Sequence, residues 1–143
     1  MDALKVVPAR EGTAYIAETV RLIRRELPGD IPLIGFAGAP FTLASYAIEG
    51  QGSREYLHMK RFMYGDAGAW NALMQKLVLQ VADYVLLQIE AGVQAVQIFD
   101  SWVGCLSVAD FREYVQPHTR ELFRRIGGHV PVIYFGTGNP HLV

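Results

Sequence analysis

With 143 residues, 51% of them hydrophobic and 19% charged, the chain can bury one sizeable core and is not expected to be disordered. A formal charge of −1 without any run of like charges excludes a general nucleic-acid or anionic-membrane surface. Apolar stretches are broken before the roughly 18 positions that a bilayer span needs. The start, Met1-Asp2-Ala3-Leu4-Lys5, lacks an apolar signal core with a basic flank. The one cysteine, Cys105, offers neither an internal disulfide nor a metal cluster, so a reducing, cytoplasmic setting is expected.

Ile16, Val20, Ile23 and Leu27 stand at helical spacing and predict a helix over residues 12 to 27, ended by Pro28-Gly29-Asp30. Ile31 to Phe36 reads as a short buried strand, closed by a turn at Gly38-Ala39-Pro40. Thr42 to Ile48 forms one or two helical turns, broken by Gly50-Gln51-Gly52-Ser53, and Ser53 caps a short helix through about Tyr64. The clearest helix begins at Asp66, carries the stripe Trp70, Leu73, Leu77, Val81 and Tyr84, and stops at Gly92. Val93 to Phe99 follows as a strand. Ser107 and Asp110 have capping-box spacing, with Asp in place of the usual Glu. The helix they open is expected to kink at Pro117 and end at Gly127-Gly128. Val130 to Phe135 is a third strand, leading into Gly136-Thr137-Gly138-Asn139-Pro140.

Strands separated by crossover helices argue a parallel sheet covered by helices, either an open doubly wound sheet or a closed barrel. In both, ligands bind beyond the carboxyl ends of the strands. The informative residues therefore follow Phe36, Phe99 and Phe135. No dinucleotide fingerprint or P-loop lysine is present. Gly38 and Pro40 alone are more often a turn than a site, and Phe36 and Phe99 more often sheet core. Asp100 is a possible general acid by type, but a strand-end carboxylate more often caps nearby polar hydrogens. Alternation also turns it away from Phe99 and Ser101, so it reads as structural. Ser101 shows no histidine that would activate it as a nucleophile. His58, His118, His129 and His141 show no metal-ligand spacing.

Three strings resemble the uroporphyrinogen decarboxylase family: GFAGAPFTLASYAIEG at residues 35 to 50, AGVQAVQIFDSWVGCLS at 91 to 107, and PVIYFGTG at 131 to 138. They occur in the family's order with similar separations, so the resemblance covers essentially the whole chain. It implies a (β/α)8 TIM barrel, which normally takes about 250 residues or more. The expected fold is therefore α/β, a partial barrel of about three parallel strands with flanking helices. Residues 1–143 would be a central fragment of that single barrel domain, truncated at both ends. The family's N-terminal arginine-rich loop, pyrrole-binding aspartate and C-terminal histidine have no counterpart here, so no catalytic residue is assigned.

The resemblance also implies the activity. The family decarboxylates the four acetate side chains of uroporphyrinogen III to give coproporphyrinogen III, with neither metal nor organic cofactor. By match to the family's positions, Tyr46 and Ser101 contact substrate, Phe36 and Phe99 line the pocket, and Gly38 lets backbone approach the macrocycle. Phe41 stands where many relatives carry tryptophan. Arg54 is the cation to watch for an octa-carboxylate, although a solvated helix-start side chain is the more usual reading. The partner is the small-molecule substrate, with no nucleic acid or membrane, and the full-length family protein is typically a homodimer. The alternatives are a zinc-using, corrinoid-dependent methyltransferase of the same superfamily and a non-catalytic half-barrel that binds a partner through its sheet edge.

Overall fold

In the computed structural model, which describes residues 4–139 and 142, three parallel strands lie side by side in the order β1-β2-β3. The strands are β1 (Ile34–Gly38), β2 (Ala95–Asp100) and β3 (Val132–Gly136). Met1-Asp2-Ala3, Pro140, His141 and Val143 lie outside the described residues. The helices are α1 (Ala9–Gly12), α2 (Ala14–Glu26), α3 (Pro40–Glu49), α4 (Leu57–Gly65), α5 (Ala67–Ala91), the single turn α6 (Val108–Asp110) and α7 (Gln116–Ile126). The chain is thus mixed α/β, with helices packed on one face of the sheet. Gly35, Ala37, Val96, Ile98 and Asp100 point into that packed layer and are buried. Phe36 and Phe135 point out of the other face and are 61% and 41% exposed.

The strands begin two or three residues later than the apolar runs suggest, for backbone reasons. The Ile31 amide bonds to the Pro28 carbonyl in a turn, and Pro32 and Pro131 have no amide hydrogen to give to a ladder. The Val93 amide still bonds to the Gln88 carbonyl and belongs to the end of α5. Residues 12 to 27 are likewise not one helix: α1 and α2 meet at Thr13, whose hydroxyl donates back to the Ala9 carbonyl at 2.7 Å. Of the expected stripe, Val20 is buried whereas Ile23 is exposed. Ser53 does not cap α4. Its hydroxyl accepts from the Tyr56 amide at 3.1 Å, and Tyr56, at φ 54°, turns the chain into the helix. Thr42 to Ile48 belongs to one ten-residue helix with Pro40 in its first turn.

α5 runs as its ends predict. Asp66 Oδ1 accepts from the Ala69 amide at 2.9 Å, and Gly92 closes the helix at φ 115°. One 18-residue window of this helix has mean hydropathy 1.2, enough by length and composition to cross a membrane. Its packing accounts for that apolarity: Val78, Val81, Ala82 and Val85 join the sheet-side core, and Trp70, Leu73 and Met74 a second core beyond the strand ends. Pro117 does not kink a continuous α-helix. A π-helical turn over Phe111–Val115 precedes it, and the Gln116 amide bonds to the Phe111 carbonyl. The wider turn lets Pro117 enter the first turn of α7 without the clash it would cause inside a regular helix.

Candidate functional site

Each strand ends at a loop on the same edge of the sheet. Across that edge Phe36 packs edge-on against Phe99 at 6.0 Å between ring centroids, and Phe99 against Phe135 at 5.5 Å. These three rings share the open face because parallel register sets Gly38 opposite Phe99 and Phe99 opposite Phe135. Ser101, the residue after β2, is half-buried. The Thr137 hydroxyl donates to its carbonyl at 2.5 Å, tying the loops after β2 and β3 together. Tyr46, on α3, is 46% exposed and packs edge-on against Trp102, the neighbour of Ser101, at 5.8 Å. Trp102 also packs against Tyr56, at 5.7 Å between ring centroids.

Two groups therefore make up the aromatic rim at the strand ends: Phe36 with Phe99, and Tyr46 with Trp102 beside Ser101. Gly38 is there too, where a Cβ would come within 3.0 Å of Leu43 Cδ2, so its bare backbone makes room for α3. A cavity of about 410 Å³ lies elsewhere, beside β3, lined by Phe111, Thr119, Phe123, Tyr134 and Phe135. Its lining shares Phe135 with the ring row and includes none of Phe36, Phe99, Tyr46, Ser101 and Gly38. Arg54 is exposed. His118 is buried with Nε2 3.0 Å from Asn71 Oδ1, a packed histidine. Among the described residues no group of three or more His, Cys, Asp or Glu is placed to hold a metal ion.

Asp100 points away from the rim, as alternation predicts, and is fully buried. Its Oδ1 accepts from the Thr42 hydroxyl at 2.9 Å and its Oδ2 from the Tyr134 hydroxyl at 2.6 Å. Burial pushes its carboxyl up to about 6, against the lowering pull of the Tyr134 and Thr42 hydrogen bonds. Burial and the nearby Asp100 charge together raise the Tyr134 phenol. Sequence reading missed Thr42, Trp102 and Tyr134. Tyr134 had a usable signal, since it shares Asp100's face two residues before the strand end; Thr42 and Trp102 had none.

The raised Asp100 carboxyl fixes the sign of a pH effect. Its folded value, about 6, exceeds its ordinary 3.8, so its contribution to stability is full below about 3.8 and is lost as pH rises through about 6. Relative to Asp100→Asn, the parent should gain about 2 kcal/mol between about pH 7 and about pH 4. Urea unfolding of both proteins across that range measures the difference. A difference that stays flat would mean the buried group does not titrate there.

Three parallel strands with helices packed on one face define a segment of the α/β class of proteins. The model of the uroporphyrinogen decarboxylase (URO-D) family matches residues 1–143, and the chain belongs to that family. Among similar proteins, the uroporphyrinogen decarboxylase of Chloroflexus aurantiacus is 55% identical over 142 residues, covering 96% of this chain and 40% of that protein. That of Thermus thermophilus is 49% identical over 144 residues, covering 100% of this chain and 42% of its own length. That of Sorangium cellulosum is 51% identical over 144 residues, covering 100% and 41%. The chain thus spans about 40% of the length of the curated relatives it matches.

Proposed function

We propose that the chain is the central part of a cytoplasmic (β/α)8-barrel enzyme that converts uroporphyrinogen III to coproporphyrinogen III, and that the longer protein is a homodimer. The observation that carries the reading is the family match over all 143 residues. Chemically, a pyrrole of the substrate is protonated at ring carbon. The bond between the acetate methylene and its carboxylate then breaks. Carbon dioxide leaves, and the electron pair neutralises the ring cation. A proton added at the exocyclic carbon and one lost from the ring complete the methyl group. No metal or organic cofactor enters this sequence.

The rim residues bind and orient in this scheme. Phe36 and Phe99 present aromatic surface to the pyrroles. Tyr46 and Ser101 donate hydrogen bonds to substrate carboxylates, and bare backbone at Gly38 keeps the macrocycle close. Holding one acetate in a fixed pose is where such a site gains rate. Purified full-length protein should form coproporphyrinogen from uroporphyrinogen III; no conversion would overturn the reading. Tyr46→Phe should lose a hydrogen bond to a charged group, roughly 1.5–3 kcal/mol, and with it on the order of tenfold to a hundredfold in rate or affinity. Unchanged kinetics would make Tyr46 a packing residue.

A further inference from the structure

We propose that the Thr42–Asp100 pair is a positioning device that pins the segment Asp100-Ser101-Trp102 to α3 and so holds Tyr46 at its working place on the rim. The inference rests on the decarboxylase reading above and adds two residues that touch no substrate themselves.

The Thr42 hydroxyl sits at a junction. It donates to Asp100 Oδ1 at 2.9 Å and, at a longer 3.4 Å, accepts from the Trp102 amide. One side chain of α3 therefore contacts both sequence neighbours of Ser101. Tyr46 lies four residues after Thr42, on the same side of α3 and one turn further on. There it packs against Trp102, whose backbone Thr42 holds. The Ala39 amide bonds to the Phe99 carbonyl at 2.8 Å, which joins the start of α3 to β2 just before this junction. The second Asp100 oxygen, bonded to Tyr134 on β3, keeps the carboxylate from rotating. Thr42 and Asp100 are both buried, so solvent does not compete for these bonds.

Stability alone does not call for a carboxylate here. A buried acid pays desolvation that an apolar residue of similar volume avoids. What it supplies instead is a two-oxygen link among α3, β2 and β3 at the level of the rim. A link of that kind fixes geometry, and small misplacements at a reacting centre are expensive in rate.

The test is a double-mutant cycle in the full-length protein, reading kcat and KM for uroporphyrinogen III with Thr42→Val, Tyr46→Phe and the pair. Thr42→Val should lose about tenfold in kcat/KM, the size expected for one hydrogen bond to a charged group. Adding Tyr46→Phe to it should cost nothing further, because the misplaced hydroxyl is already out of use. Thr42→Ser, which keeps the hydroxyl, should restore most of the loss. If Thr42→Val does not fold, Asp100→Asn takes its place in the same cycle. Losses that multiply, or Thr42→Val with parental kinetics, would overturn the positioning role and leave the decarboxylase reading standing. A parent that turns over no uroporphyrinogen III, or a silent Tyr46→Phe, would remove the activity or the rim assignment, and this inference with it.

Discussion

Expressed by itself, the 143-residue chain is expected to show no decarboxylation and to self-associate. β1 and β3 are the outer strands of the sheet among the described residues, and the face opposite the helices carries exposed Ile34, Phe36, Ile133 and Phe135. An unpaired strand beside an apolar face is a template for association with another chain. Part of the β1 edge is blunted: the Gln88 side-chain amide accepts from the Phe36 N–H at 3.1 Å and donates to its C=O at 3.0 Å. β3 has no such cover from Gln88, and the cavity beside it exposes more apolar surface. Activity should be absent because the chain spans about 40% of its relatives' length and Arg54, the cation singled out for eight carboxylates, is exposed to solvent. Size-exclusion chromatography together with an assay for coproporphyrinogen checks both parts. A monomer that converts uroporphyrinogen would overturn the expectation and show these residues to be sufficient.

Trp70→Ala should be the most damaging single core change near the site. Trp70 is fully buried where α3, α4, α5 and the π-helical turn converge, edge-on to Phe41 at 6.2 Å and Phe62 at 6.3 Å. Its Nε1 donates to the Tyr114 carbonyl at 2.9 Å. Truncation removes the ring, leaves a cavity and strands that carbonyl, at a cost of about 3–5 kcal/mol. Domains are stable by only about 5–15 kcal/mol, so much of the margin would go. Activity should fall too, because Phe41 seats the helix that carries Tyr46. Denaturant unfolding of the full-length variant with an unchanged slope tests this; a loss under about 1 kcal/mol would mean that neighbouring side chains refill the space.

Much of the strand-and-helix order was legible in the sequence, because its signals are local. Helix capping works over three or four residues, so Asp66 and Gly92 announced the ends of α5 correctly. Ser107 and Asp110 likewise announced α6: the Asp110 amide donates to the Ser107 hydroxyl oxygen at 3.1 Å. Strand parity is equally local, and it turned Asp100 away from Phe99 and Ser101 before any partner was known. The family strings named the candidate rim residues, which fall at the ends of β1 and β2 and, for Tyr46, on α3.

Tertiary structure alone decided what those residues meet. Thr42 and Asp100 are 58 positions apart, and Asp100 and Tyr134 are 34 apart, so no local pattern ties them into one junction. Strand onsets depended on which amides had a ladder partner, which proline positions and the end of α5 settled against the apolar runs. Gly104 looks like any loop glycine, yet a Cβ there would collide with the Thr137 and Gly138 carbonyls, the latter at 2.6 Å. Composition and periodicity act through neighbours along the chain, whereas a buried carboxylate's partners and a glycine's clearance are set by elements that arrive from far away in sequence.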